Sequence, residues 1–474
     1  MSGDLTDAKT LRAAGRSLAL PFSVELADGR VLHMQRVLRL LPGKRVAGEA
    51  VLGGRPVFAK LFIAESGERH WQAECRGVQA LREAAIPTPA VLNSGRLKAG
   101  GFILVSEYLR ESESLAAAWE RAAAIRDETQ ALAVLSPAFV LLARMHSAGL
   151  SQDDLHLGNF LRCGDSLRVI DGDSVVVAPA PLSTTAAAGN LGMLLAQLPA
   201  AWDRVAAESL AIYQASGGVT GIDVAALQSA IDRVRAWRVR DYLGKSVRDC
   251  TLFAVTRTVG RFVSVLRAEK ERLLPILVAP DDALAAGVRL KSGNTCTVAR
   301  VASPGGDIVV KRYNLKGIGH ALSRLWRPSR AWHSWREAHR LGVHGIATPR
   351  PLAVIEERIG PLRRRAWLIA EHCPGVNLAD HLDPSSLPPE GEAAALSELF
   401  RLLCRLRITH GDLKATNLLW HDGRVWLIDL DACTQHRSDA AWRRAWQKDR
   451  SRLLRNWPEG SPLRGWFDGV LPEA

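Results

Sequence analysis

Between Thr409 and Asp431 the chain reads T-H-G-D-L-K-A-T-N-L-L-W-H-D-G-R-V-W-L-I-D-L-D, and oxygen-bearing side chains recur along it at telling intervals. Asp412 and Asn417 stand five residues apart in a short loop. Two apolar runs on either side of His421-Asp422-Gly423 then lead to Asp429. An Asp-Gly turn between apolar runs predicts a small hairpin, which would set Asp412, Asn417 and Asp429 on one rim. Such a trio suits phosphoryl transfer, in which a protein mostly positions groups and neutralises charge. One carboxylate accepts the proton of the acceptor hydroxyl, while an amide oxygen and a second carboxylate hold the Mg²⁺ that bridges the phosphates.

His-Gly-Asp alone is an ordinary turn. The weight comes from its recurrence: Ser151 to Asp173 reads S-Q-D-D-L-H-L-G-N-F-L-R-C-G-D-S-L-R-V-I-D-G-D, with Asp154 and Asn159 again five apart. Asp154 precedes Asp171 by the same seventeen residues that separate Asp412 from Asp429. The order H-x-D-x-x-x-x-N followed by a strand ending in Asp is that of a kinase catalytic loop and its metal-binding Asp, and the stretch resembles the protein-kinase-like superfamily.

The elements that must position these loops also recur. Leu38 to Gly43 and Val288 to Gly293 each precede a strand carrying a lysine, Lys60 in V-F-A-K-L-F and Lys311 in I-V-V-K-R-Y. A helix follows in each half, with Glu74 or Glu337, and then the proline-broken runs I-P-T-P-A-V and I-A-T-P-R-P-L, which lead back into a strand. The next apolar strand ends in an acid, Glu107 or Glu371, at the edge that meets the adenine in a kinase-like fold. A lysine beside a glycine turn can reach nucleotide phosphates and a helix glutamate can hold it there, which pairs Lys60 with Glu74 and Lys311 with Glu337. Neither glycine turn is a G-x-G-x-x-G loop. Asn190 to Pro199 and Asp449 to Pro458 extend the parallel, so the repeating unit is domain-sized, with the boundary near 235 to 250. The expected division is 1–245, degenerate in part, and 246–474, active.

A chain of 474 residues can bury two or three cores, and a mean hydropathy of −0.01 with 47% apolar residues is that of a globular protein. The net charge of +13 favours a polyanionic partner. Two acids in the first residues argue against an export signal, and prolines at 179, 181 and 199 interrupt the uncharged run from Ser174 to Trp202, so a membrane span is not expected. Seven cysteines without a C-x-x-C pair suit a reducing compartment and no thiolate metal site.

Two departures weaken the first half. Gln152 replaces His410, and Gly172 replaces Leu430, an apolar residue expected to pack behind the metal-binding Asp. After Asp429 there is no A-P-E platform for a peptide, which favours a small-molecule, sugar or lipid-linked acceptor. The second half also inserts a basic segment whose Lys316, Arg324, Arg327, Arg330, Trp326, Trp332 and Trp335 suit an anionic, amphiphilic surface. The alternative is a helix whose tryptophans face the core.

V-V-K-R-Y-N, R-P-S-R-A-W, S-W-R-E-A-H-R-L, G-I-A-T-P-R-P and H-G-D-L-K-x-x-N resemble the lipopolysaccharide core (Kdo/heptose) kinase family of Gram-negative bacteria, closely over about 286–435 and distantly in the first half. The resemblance implies an α+β fold, here two tandem protein-kinase-like bilobal domains, each with a small antiparallel sheet and a mainly helical lobe. It implies ATP- and Mg²⁺-dependent phosphorylation of a heptose or Kdo hydroxyl on the lipid A-core oligosaccharide, in the cytoplasm or peripherally at the inner membrane. By motif, Asp412 is the base, Asn417 and Asp429 the metal ligands, Lys311 the phosphate clamp with Glu337, and Lys414 faces the transferred phosphoryl. Asp154, Asn159, Asp171, Lys60 and Glu74 hold the matching places, with His156 at that of Lys414. A phosphotransferase for a soluble small molecule and a regulatory pseudokinase first half are the competing readings. Nucleic acid is not an expected partner, because no reading motif accompanies the basic residues.

Overall fold

The computed structural model describes residues 5–125, 127–293, 295–314, 328–359 and 362–473. It divides into two compact units, one of residues 1–198 and 202–235, the other of 199–201 and 236–474. Helix Val224–Lys245 runs into the stretch near 235 to 250. Lys316, Arg324, Trp326 and Arg327 lie outside the described residues.

In the first unit the described residues form an antiparallel sheet in the order Phe22–Glu25, Val31–Leu41, Arg45–Leu52, Arg55–Phe62, Phe102–Glu107, Val91–Arg96. Its alternating apolar residues pack Val46, Ala59, Leu61 and Val105 into one core. Helix Gly67–Glu83 crosses from the lysine strand to the returning strands. The rest is largely helical, around Phe139, Leu142, Leu191 and Tyr213.

The second unit repeats the scheme with an antiparallel sheet in the order Phe253–Arg257, Arg261–Leu266, Pro351–Ile359, Leu362–Glu371, Ile308–Tyr313, Cys296–Val301, Val288–Ser292. The first two of these strands were not anticipated; their F-A-V-T-R and R-F-V-S-V-L alternation pairs them with each other and with Pro351–Ile359. Helix Arg330–His344 starts where the Ser329 side chain accepts from Trp332 N and stops at Gly345, whose φ of 78° ends the helix. The helical part closes around Phe400, Trp446 and Phe467. No helix among the described residues is long and apolar enough to cross a membrane.

The two sheets place their lysines identically. Lys60 lies opposite Leu104, and Val57 opposite Glu107; Lys311 lies opposite Leu368, and Ile308 opposite Glu371.

Candidate active site

The hairpin expected after Asn417 forms from Leu418–His421 and Arg424–Leu427. Asp422 and Gly423 both have positive φ, 53° and 66°, the geometry that makes an Asp-Gly turn fit a tight hairpin. At its base Ile428 N donates to Asn417 O at 3.0 Å, tying the end of the second strand to the loop. Asn417 Nδ2 donates to Asp412 O at 2.9 Å and approaches Asp412 Oδ2 at 3.4 Å. Asp429 is held in the left-handed region, φ 59° and ψ 58°, and its Oδ1 accepts from Lys311 Nζ at 2.5 Å. Sheet, loop and hairpin thus bring Lys311, Asn417 and Asp429 around one cavity of about 420 Å³, with Asp412 bonded to its rim.

Asp412 sits between two cations: Oδ2 accepts from Lys414 Nζ at 3.0 Å and Oδ1 from Arg452 Nη1 at 2.9 Å. Burial pushes its carboxyl up, but the Lys414 hydrogen bond and the charges of Lys414 and Arg452 outweigh that and hold it below its ordinary value. Arg452 also donates to Gly411 O at 2.7 Å. The loop is fixed from beneath by Asp449, which is buried and accepts from the backbone N–H groups of His410, Gly411 and Leu413. His410 Nε2 donates to Ile428 O at 2.9 Å.

The expected Lys311–Glu337 pair is not formed. Glu337 accepts instead from Arg340 on its own helix, Nε to Oε2 at 2.8 Å, and it does not line the cavity. Lys311 is shared by Asp429 and Asp431, whose Oδ1 lies 2.8 Å from its ammonium. Asp431 is a hub: Tyr313 Oη and Ser334 Oγ donate to the same oxygen at 2.7 and 2.8 Å, and Arg330 donates to the other. Burial pushes the Asp431 carboxyl up, yet Lys311, Tyr313 and Arg330 bring it down to about 2. Burial disfavours the Lys311 ammonium, but the Tyr313 oxygen and the two carboxylates raise its pKa well above the ordinary lysine value.

The first unit makes the pair the second lacks. Lys60 Nζ donates to Glu74 Oε1 at 2.5 Å and to Asp171 Oδ1 at 3.1 Å. Glu74, 1% exposed, also accepts from Gly172 N at 3.1 Å and Asp173 N at 3.2 Å. The difference follows from two glycines. A Cβ on Gly77 would lie 1.9 Å from Gly172 O, and one on Gly172 would lie 2.5 Å from Glu74 O. Helix and turn therefore touch backbone to backbone, and Glu74 reaches the turn. In the second unit Arg340, three residues after Glu337 as Gly77 is after Glu74, and Leu430 stand at the positions of the two glycines. So Gly172 is not a loss of packing but the reason the helix seats so close.

Gln152 likewise does not loosen the site. Its Nε2 donates to Ile170 O at 3.0 Å and to Asp171 O at 3.3 Å, doing for the first unit what His410 does for the second. Asn159 Nδ2 donates to Asp154 O at 2.9 Å, matching Asn417, and Asp171 has φ 72° and ψ 72°. Asp154 is exposed and His156 partly buried beside it.

Glu107 and Glu371 stand at the mouths of the two cavities in ion pairs, with Arg168 at 3.1 Å and with Arg350 at 2.8 Å. The described part of the basic, tryptophan-bearing segment faces inward. Trp335 is fully buried against Phe253 and His339 and donates to Ser246 O, Trp332 packs on Phe262 at 4.9 Å, and Arg330 is taken by Asp431. Those three residues are committed to the fold and not to an outer surface.

Asp431, Asp449, Arg452 and Tyr313 had no role in the reading of the residues. The repeated I-D-x-D was the one visible signal for Asp431, and the alignment of Asn190 with Asp449 that for Asp449. Asn190 indeed supports the first loop, donating to Gln152 O at 2.7 Å.

Among the described residues no cluster of three His, Cys, Asp or Glu side chains can hold a metal unaided. Asn417 and Asp429 nevertheless fit Mg²⁺, which takes few protein oxygens and completes its shell with phosphates and water. The Asn417 amide nitrogen is fixed on Asp412 O, which sets the orientation of its oxygen, and Asp429 lines the same cavity.

Residues 291–464 match the family model described as "Lipopolysaccharide kinase (Kdo/WaaP) family". The matched segment lies within the second unit. A 3-deoxy-D-manno-octulosonic acid kinase of Photobacterium profundum is 32% identical over 133 residues, 28% of this chain and 54% of that protein. The enzyme of the same description from Xanthomonas euvesicatoria pv. vesicatoria is 31% identical over 151 residues, 30% of this chain and 59% of its own. The chain thus spans rather more than half the length of the curated relatives it matches. A solved structure titled "WaaP in complex with acyl carrier protein" overlaps 44% of this chain and 86% of its own at 18% identity, with a TM-score of 0.32, too loose a likeness to carry an argument.

Proposed function

We propose that this chain is an ATP-dependent kinase of the lipopolysaccharide core, transferring a phosphoryl group to a Kdo or heptose hydroxyl in its second unit. The family match over 291–464 supports the class of acceptor. The observation that carries the reaction is the convergence of Lys311, Asp429 and Asn417 on one cavity with Asp412 hydrogen-bonded to its rim.

Asp412 is the base. Held ionised by Lys414 and Arg452, it accepts the sugar hydroxyl's proton as that oxygen attacks phosphorus. Lys414, half exposed beside it, turns to the transferred phosphoryl. Lys311 clamps the phosphates, positioned by Asp431 in place of Glu337. Asn417 and Asp429 would hold Mg²⁺; when bound, the metal and ATP supply the bridged, charge-neutralised phosphoryl donor. Because Arg350 occupies the Glu371 carboxylate, the adenine-side edge at 371–373 offers a ligand mainly its backbone. The two units, with the same lysine register and the same Asn-to-Asp bond, read as a copied kinase-like domain. ATP as donor puts the reaction on the cytoplasmic side of the inner membrane.

The test is incubation of purified protein with Mg-ATP and core oligosaccharides truncated stepwise, with mass spectrometry of the added phosphate. Asp412→Asn is expected to lower transfer by about 10²–10⁴-fold and Asp154→Asn to leave most of it. Absence of transfer to every core sugar, or full activity of Asp412→Asn, would overturn the assignment.

A further inference from the structure

The first unit holds its own cavity of about 480 Å³, and its charges differ from those of the second. Three cations bear on Asp171: Lys60 at 3.1 Å, Arg39 at 3.8 Å, and Arg45, which lies 3.5 Å from Asp173 and 5.9 Å from the Phe62 ring centre. The carboxylate that a divalent ion would need is therefore already neutralised, and an arriving cation would meet guanidinium groups. In the second unit Asp429 is bonded by Lys311 alone among the described residues, and Cys296 takes the place of Arg45, each pairing across the sheet with an aromatic ring at the end of the lysine strand. Val78, Val91 and Leu104 give the first cavity an apolar wall.

We propose that the first unit binds a nucleoside polyphosphate without a divalent ion, its phosphates against Arg39, Arg45 and Lys60 and its ring against Val78, Val91 and Leu104. Guanidinium groups suit this because their planar forks make paired, charge-assisted bonds to phosphate oxygens. The ligand exchanges its phosphates for the carboxylates that Arg39 and Arg45 now face. The inference does not depend on transfer by the second unit.

Equilibrium dialysis of the full-length protein against labelled ATP, in Mg²⁺ and in EDTA, tests it. Two sites per chain are expected in Mg²⁺ and one in EDTA. Arg39→Ala with Arg45→Ala should weaken the EDTA-resistant site by at least about tenfold and spare the other, and Lys311→Ala should do the reverse. Should the double variant fail to fold, Arg39→Ala alone, at a half-exposed position, carries the test. Loss of all binding in EDTA, or EDTA-resistant binding indifferent to Arg39, would overturn the proposal. Inorganic tripolyphosphate competing as well as ATP would remove the nucleoside from it. Failure of the transfer reading would leave this site in place, and failure here would leave the Mg²⁺-dependent site.

Discussion

Asp431 gathers an ammonium, a guanidinium and two hydroxyls on one carboxylate, and with Asp429 it holds Lys311. Removing its charge should release the clamp, so Asp431→Asn is expected to lower kcat/KM by about 10–100-fold, the loss of one charge-assisted hydrogen bond. Glu337→Gln should change it by less than about twofold, since Glu337 serves Arg340. Steady-state kinetics of the two variants checks this; the reverse order would restore the helix glutamate as the lysine's partner. A pH dependence follows from the same group. Asp431 is depressed to about 2 in the fold against an ordinary value of 3.8, so its stabilisation is present above about pH 4 and lost as pH falls toward 2. The contribution is about 2 kcal/mol, and urea unfolding at pH 5 and pH 3 should show a shallower fall for Asp431→Asn than for the natural chain. That Asp412, Asn417 and Asp429 come together was legible from their spacing around the hairpin. Asp431 was not, because two aspartates two positions apart look alike until the turn brings both to the lysine.

Among elements, the contact of helix Gly67–Glu83 with the turn at Gly172–Ser174 separates the units most clearly. Gly77→Ala puts a methyl where Gly172 O already sits, so the helix must lift. A destabilisation of about 1–3 kcal/mol is expected, together with weakening of the Lys60–Glu74 bond. Chemical denaturation should show it in the first unit's transition; an unchanged midpoint would mean that helix and turn separate freely. Helix periodicity, the hairpin and the lysine strands were readable from apolar spacing and turn residues. The closeness of two elements was not, for it depends on which side chain is missing on each side, and Gly172 taken alone looks like a defect. The tryptophan-bearing helix left two readings open for a related reason: Trp335 at the buried face and an interfacial tryptophan have the same local sequence, and only the packing of Phe253 and His339 around it tells them apart.

Over the whole molecule, the family segment covers 291–464 while the repeat of motifs runs through both units. The common registers of Lys60 and Lys311 support the tandem reading proposed above. The strands Phe253–Arg257 and Arg261–Leu266 escaped it because nothing in the first unit pairs with them in sequence. The excess of 62 basic over 49 acidic residues does not by itself say what is bound, and the inward turn of Arg330 shows how a cation that counts toward an outer patch can be spent inside. One further consequence lies in the ammonium between Asp429 and Asp431. The second cavity carries a tethered counter-ion of its own, so its acidic rim does not depend on dissolved metal to stay folded. Chelation should accordingly abolish phosphoryl transfer while shifting the melting temperature by less than about 1 °C, a separation that differential scanning calorimetry beside an activity assay would register. A fold that collapsed with its metal would need the ion as a strut; this one would treat it as a visitor that arrives with the nucleotide and leaves with it.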